Sequence, residues 1–273
     1  MKKRIVTTTA VFDPGYPAEK AAERLAGLGF EALDMALDYW RTAENSPFLT
    51  DGYLAWAQAV GKQAESVGAP YTHSHAPGEA GTDPLIGRSI ETAGALGAKY
   101  MVLHPIFREN GADIDDADTF IRRNADAVKP WLPLARDSGV VILSENLLWG
   151  ASRDPRIIAR LVESVGSEQF GWCFDTGHAN IFGYGPAILP ECACPPLSLH
   201  LQDNNGGGDE HLIPGDGNID WDAMAASLKA VGYAGDCVLE AHHQSLDAKD
   251  EDRDPILARL FTAAKDLRAK MED

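Results

Sequence analysis

The sequence predicts an α/β fold, a single closed (β/α)8 TIM barrel, and three observations carry that expectation. Apolar runs rich in Val, Ile, Leu, Cys and Phe recur along the chain, stretches of helical period fall between them, and a glycine marks most helix-to-strand junctions. The glycines stand in Leu28-Gly29-Phe30, Val67-Gly68-Ala69, Leu96-Gly97-Ala98, Ser138-Gly139-Val140, Val165-Gly166-Ser167 and Val231-Gly232-Tyr233. Glycine just past a helix end tolerates the left-handed backbone that closes the helix, so each should be such a turn. Three Asp-Pro pairs, Asp83-Pro84, Asp154-Pro155 and Asp254-Pro255, each offer an N-cap carboxylate before a proline at the first helical position.

Read with these marks, strands are expected at about 4–12, 30–39, 69–76, 99–105, 139–146, 170–177, 196–203 and 236–242. Helices fit at roughly 17–27, 51–67, 83–97, 116–137, 154–165, 220–231 and 254–271, while 180–194 is too rich in Gly and Pro for more than a short turn. Pro130 and Pro133 predict a kink or break within the fourth helical stretch. Eight alternations without a linker or low-complexity tract favour a closed barrel over an open sheet, with residues 1–273 as one domain.

Composition narrows function. A chain of 273 residues, 45% of them hydrophobic, can bury a sizeable core. Its 24 Lys+Arg against 41 Asp+Glu leave a net charge of -17, which opposes the approach of a polyanion, so nucleic acid is not an expected partner. The start, MKKRIVTTTAVF, holds only a short, Thr-interrupted apolar stretch, and no later run approaches a membrane span. A cytoplasmic location with no membrane partner is expected. Cys173 and Cys237 lie inside strand-like runs as small apolar residues, and Cys192-Ala-Cys194 reads as a pair of loop thiols rather than a metal or redox site.

Four metal-ligand types stand near the ends of four apolar runs: Glu145 in VVILSEN, Asp175 in GWCFDTGH, His200 in LSLHLQDN and Glu240 in CVLEAHH. Buried parallel strands deliver their last side chains to the carboxyl-terminal rim of the sheet, where α/β barrels keep their chemistry. Three carboxylates and an imidazole converging there would repel one another unless something positive sat between them, so a divalent cation is the natural occupant. Three oxygens and one imidazole suit Mn2+, Zn2+, Co2+ or Mg2+. His73 and His75 share a face near the end of the third strand, His104 ends the fourth, His178 follows Asp175 by three residues, and Asp209-Glu210-His211 follows the seventh strand. Seven of the eight histidines, all but one of the pair His242-His243, thus lie at or just past an expected strand end.

These residues carry a resemblance. SENL at 144–147, DTGHAN at 175–180, HLQDN at 200–204, DEHLIPGDGNIDW at 209–221 and VLE at 238–240 resemble the sugar phosphate isomerase/epimerase family, whose barrel is xylose isomerase-like and which also contains zinc-dependent AP endonucleases. The resemblance implies one divalent ion held by Glu145, Asp175, His200 and Glu240. It also implies an isomerase or epimerase of a sugar, sugar phosphate or polyol, acting by proton abstraction next to a metal-bound carbonyl through an enediolate. Glu145 and Glu240 would be the acid/base pair on opposite sides of the substrate carbon, and His178 and His211 would bind hydroxyls. A dehydratase on the same scaffold could share these ligands.

More ligands are present than one ion needs. His75, His104, His178, Asp209 and His211 match places that hold further zinc ions in the endonuclease branch, so a zinc-dependent phosphodiesterase is the alternative and additional ions fit. Against it, the loops carry Asp113, Asp115, Asp116, Asp203, Asp209, Glu210 and Asp216 where a DNA-gripping enzyme needs a basic rim. A third reading is a non-catalytic, sugar-binding barrel. The aromatics Phe12, Tyr39, Trp40, Phe107 and Trp149 could stack on a sugar or close the interface of a homo-oligomer. No Gly-rich, Lys/Thr-bearing phosphate loop is present, which tilts the expectation toward an unphosphorylated substrate.

Overall fold

A computed structural model describes residues 2–81 and 83–272. Eight strands lie parallel in chain order: β1 Ile5–Thr8, β2 Ala32–Ala36, β3 Tyr71–Glu79, β4 Tyr100–His104, β5 Val141–Glu145, β6 Phe170–Asp175, β7 Ser198–His200 and β8 Cys237–Leu239. β8 pairs with β1 in register Ile5 to Cys237 and Val6 to Val238. The sheet closes on itself through the bridge of Leu201 to Leu239, where Leu201 N donates to Val238 O at 2.8 Å and Glu240 N donates to Leu201 O at 3.1 Å. The expected (β/α)8 barrel is the fold observed.

Strand periodicity explains which residues line the barrel. Residues two apart share a face, so Val102, Leu143, Cys173 and Val238 sit one step below His104, Glu145, Asp175 and Glu240. Val102, Leu143 and Cys173 form a small buried cluster, and Val6, Ala32 and Val238 form another, both apart from the main core. The alternate residues, Ile142, Trp172, Leu199 and Leu239, belong instead to the large core between sheet and helices. The barrel therefore has a mostly apolar floor, interrupted by the buried His73, with ionisable side chains above it.

The helices follow the punctuation. All six junction glycines adopt positive φ, from 61° at Gly166 to 104° at Gly29. Asp154 caps the helix Pro155–Val165 by accepting from Arg156 N at 2.9 Å, with Pro155 in its first turn. The helical stretch after β4 breaks as its prolines require: Ala117–Val128 is α-helical, Lys129–Trp131 is a 3-10 turn and Leu132–Asp137 resumes. Between β6 and β7 stand only a short helix, Thr176–Ile181, and a 3-10 stretch, Pro186–Glu191. The last helix, Arg253–Glu272, buries Leu257, Leu260, Ala264, Leu267 and Met271, the i, i+3, i+4 stripe of a packed helix.

Several expectations change. The first strand stops at Thr8 and passes into a 3-10 turn at Thr9–Val11; the second stops at Ala36, where a helix Leu37–Thr42 begins. Asp254 lies within the first turn of its helix rather than before it, and Asp83 caps a turn at Leu85 N ahead of the helix Ile86–Leu96. A small antiparallel hairpin pairs Arg108–Glu109 with Ala112–Asp113 beyond β4. Its two-residue turn, Asn110-Gly111, has both residues at positive φ, the signature of a tight hairpin turn.

Helices Tyr53–Ser66 and Ile86–Leu96 approach closely because Gly61 has no side chain: a Cβ there would lie 2.6 Å from Leu96 O. Alanine normally favours a helix interior by about 1 kcal/mol over glycine. Here Gly61→Ala should instead destabilise the fold by about 1–3 kcal/mol through overpacking, as read by chemical denaturation. A gain in stability would show that the two helices can separate freely.

Candidate metal centre

The four strand-end residues meet. Glu145 ends β5, Asp175 ends β6, His200 ends β7 and Glu240 follows β8, and one ligand atom from each lies within 4.8 Å of the others. The register of Asp175 with His200 sets two of them side by side. His200 Nδ1 lies 2.8 Å from Glu145 Oε1 and 3.2 Å from Glu240 Oε2, so one imidazole faces both glutamates.

The other site residues extend this group on two sides. His75, His104 and Glu145 form a second set, with the two imidazole Nε2 atoms 3.7 and 3.4 Å from Glu145 Oε2. His178, Asp209 and His211 form a third, with the Nε2 atoms 3.4 and 3.1 Å from Asp209 Oδ2. All nine sequence-derived site residues are thus brought together. His73 is not among them: two residues before His75, it belongs to the buried floor, where its Nδ1 lies 2.9 Å from Thr72 Oγ1 and burial drives its pKa down to about 3.

Backbone carbonyls set the imidazole tautomers. Nδ1–H donates to Ala76 O from His75, to Asn146 O from His178 and to Glu240 O from His211, at 3.1, 2.8 and 2.8 Å. Each Nε2 is thereby aimed at a carboxylate with its lone pair free for a cation, the arrangement metal-binding histidines use. Two amide side chains hold these carboxylates in place. Asn146 Oδ1 accepts from Asp175 N and its Nδ2 donates to Asp175 O, both at 2.9 Å. Gln202 Nε2 donates to Asp209 Oδ1 at 2.9 Å and to Asp175 Oδ1 at 3.3 Å, tying the first group to the third. Both lie inside the recognised blocks SENL and HLQDN, but an amide there has no ligand chemistry to draw attention from sequence alone.

The electrostatics test whether these residues fit a cation. Burial pushes Asp175 up to about 7, with Glu145 and Glu240 adding to the rise and His178 opposing it. Burial also disfavours ionised Glu145 and Glu240, yet the adjoining His200 charge outweighs it and holds both below the ordinary carboxylate range. His178 is raised to about 10 and His211 to about 9: burial works against their charge, and the carboxylates around them prevail. Protein charge alone therefore balances this site only by protonating buried imidazoles. Glu145 Oε2 and Asp175 Oδ2 are buried oxygens without a hydrogen-bond partner, a costly state for a carboxylate. Two orphaned oxygens and lone-pair nitrogens around one point are a donor set that fits a divalent ion.

The loop after β7 is fastened from below. Asp203 is buried and accepts from Asn204 N, Gly215 N, Ile219 N and Trp221 Nε1 at 2.8 to 3.2 Å, so it anchors the segment 209–221 instead of charging the rim. Other rim acids are also engaged: Asp113 with Arg108, Asp115 with Arg153, Asp216 with Arg259, Glu210 with Asn205 N, and Asp116 as a helix cap. The expected acidic rim is therefore partly neutralised. The aromatics divide too. Phe12 and Trp40 are buried in the main core, whereas Phe107 and Trp149 stack at 4.8 Å with Trp149 exposed.

Residues 22–261 match the family of the xylose isomerase-like TIM barrel. The chain belongs to that family. Among curated relatives, an uncharacterized protein of Sinorhizobium fredii is 29% identical over 170 residues, covering 55% of this chain and 49% of the relative. One of Methanocaldococcus jannaschii is 30% identical over 161 residues, covering 54% and 52%. The chain thus spans about half the length of these relatives. A probable endonuclease 4 of Mycobacterium leprae is 24% identical over 159 residues, covering 54% and 60%. Among solved structures, a D-tagatose 3-epimerase-like protein superposes with TM-score 0.72 at 21% identity, covering 98% of both chains. D-psicose 3-epimerase, crystallised with D-fructose, gives 0.74 at 14%, covering 97% and 99%. The IolI protein with a zinc atom gives 0.74 at 17%, covering 98% and 97%. At these identities the likeness is one of fold.

Asp175→Asn removes a charge from the first group while keeping its shape. The purified variant should retain markedly less divalent metal than wild type by elemental analysis. A metal-replete variant would show that the four-residue group is not a binding site.

Proposed function

We propose that this chain, as one barrel domain over residues 1–273, is a divalent-metal-dependent isomerase or epimerase of a sugar or polyol, with Glu145 and Glu240 as its proton-transfer pair. The observation that carries the reading is the convergence of Glu145, Asp175, His200 and Glu240 within 4.8 Å at the carboxyl end of the barrel. The epimerase activity named for the D-tagatose 3-epimerase-like and D-psicose 3-epimerase neighbours supports it, as does the zinc atom of the IolI structure.

The chemistry a divalent ion supplies there, when bound, is polarisation of a carbonyl and acidification of the adjacent C–H. The chain's own residues supply the rest. Glu145 and Glu240 are both held ionised, so either can accept a proton from carbon on its own face; inversion follows when the other, having taken a proton from solvent, delivers it to the opposite face, and the first base then releases its proton to solvent. Their surroundings differ. Glu145 Oε2 faces His75 and His104, whereas the Glu240 side chain retains 14% exposure toward the mouth, so Glu240 is the better placed first base. His178 and His211, with Nδ1–H engaged by the backbone, present Nε2 to substrate hydroxyls. Trp149 and Phe107 offer a stacked face for a sugar ring.

The nine-residue set also supports a second reading, a zinc-dependent phosphodiesterase, because the flanking groups each have the ligands of an additional ion. The net charge of -17 and the pairing of Arg108, Arg153 and Arg259 with rim acids favour the small neutral substrate. No described helix is long and apolar enough to cross a membrane.

Metal-dependent exchange of deuterium from solvent into a panel of ketoses should detect the proposed proton transfer. Glu240→Gln should slow that exchange on the order of a hundredfold or more at unchanged metal content. Wild-type exchange in the variant would reduce Glu240 to a ligand. Binding of a ketose without exchange would favour a sugar-binding barrel.

The phosphodiesterase reading makes an opposite forecast for abasic duplex DNA. The chain should leave it intact at every salt concentration. Nicking at catalytic rates, with affinity falling steeply as salt rises, would promote hydrolysis over isomerisation.

A further inference from the structure

We propose that His211, His242 and His243 form a separate all-imidazole cation group at the barrel mouth, suited to a borderline transition-metal ion such as Zn2+ or Co2+, which competes with the His178, Asp209 and His211 group for the ring of His211. One ring nitrogen from each of the three lies within 4.8 Å of the others. The ring centroids are 4.3 Å apart for His211 and His242, and 4.8 Å apart for the other two pairs.

The ring orientations are fixed, not incidental. Glu240 O accepts from His211 Nδ1 at 2.8 Å and from His242 Nδ1 at 2.9 Å, so one carbonyl uses both lone pairs to set two tautomers. Each ring is left with Nε2 as its lone-pair atom. His211 is further held at φ 44°, a left-handed conformation that a non-glycine residue keeps only when its surroundings impose it. His243 opens a short helix immediately after His242 and adds the third ring.

Donor chemistry separates this group from its neighbours. The two groups centred on Glu145 and the group centred on Asp209 each include at least one carboxylate, whereas this one offers imidazole alone and so favours Zn2+ or Co2+ over Mg2+. Competition follows from His211: its Nδ1 is spent on Glu240 O, so its single free nitrogen serves one group at a time.

Titration of the purified full chain with Co2+, followed by visible absorption and calorimetry, tests the assignment. Wild type should show one binding step that the double variant His242→Asn, His243→Asn loses, while steps at the carboxylate-bearing groups persist. Because His242 is half-buried and held by Glu240 O, His243→Asn alone is the second variant and should weaken the same step. Hyperfine-shifted imidazole N–H signals from His242 should appear in the Co2+-loaded wild type. Asp209→Asn should tighten the step by freeing His211. If Asp209→Asn leaves it unchanged while the double variant still abolishes it, the imidazole group stands and the reading of the Asp209 group fails. The same number of steps at the same affinities in wild type and both histidine variants would overturn the proposal.

Discussion

Four carboxylates, Glu145, Asp175, Asp209 and Glu240, come together at one end of this barrel, and their mutual repulsion is the constraint from which the rest of the site follows. Glu145 and Asp175 are buried and Glu240 and Asp209 only partly exposed, and like charges brought together there are costly in a medium of low dielectric. Histidines answer that cost. His75, His104, His178, His200 and His211 each place a ring nitrogen within 3.8 Å of a carboxylate oxygen, and backbone carbonyls orient three of them. Imidazole balances the charge when protonated, but a cation balances it while also coordinating Asp175 Oδ2 and Glu145 Oε2, two buried oxygens that accept no hydrogen bond.

The fold was legible because its signals are local and the chain repeats them. A glycine past a helix end needs positive φ whatever surrounds it, and all six did so. The convergence of strand-end residues was legible for a related reason, since period-two alternation fixes the face on which Glu145, Asp175 and Glu240 emerge. What sequence could not reveal was depth. His73 and His75 share a face, yet one step along the strand separates a buried residue whose pKa is depressed from one whose pKa is raised by Glu145 and its neighbours against the pull of burial. Phe12 and Trp40 likewise were expected just past strand ends, but the first follows a 3-10 turn, the second lies in the helix Leu37–Thr42, and both turn into the core.

Charge was misread for the same reason. A tally of acids near strand ends counted Asp203 among rim charges, though it is buried and receives four hydrogen bonds. Its role explains why the block 209–221 is so distinctive. Gly217 sits against Asp203 and Asn204 with no room for a side chain, and Trp221 gives its indole N–H to the same carboxylate. The block is thus a clasp that carries Asp209 and His211 over the barrel mouth, and its sequence is constrained by the clasp as much as by the ligands.

Sharing of residues makes the site one object rather than three. Glu145 belongs to two groups, and Asp175 Oδ1 also accepts from His178 N, so the loop that follows β6 is tied to the first group through a helix cap. Gln202 bridges Asp175 to Asp209, and Glu240 orients His211 through its carbonyl while offering its carboxylate elsewhere. Substitution at any of these positions therefore perturbs more than one neighbour, and effects of pairs will not add. Donor type alone therefore does not choose between the two proposed readings: the groups around Glu145 and Asp209 offer atoms that suit a further ion as well as a substrate hydroxyl, and what separates the readings is the charge of the substrate each would admit.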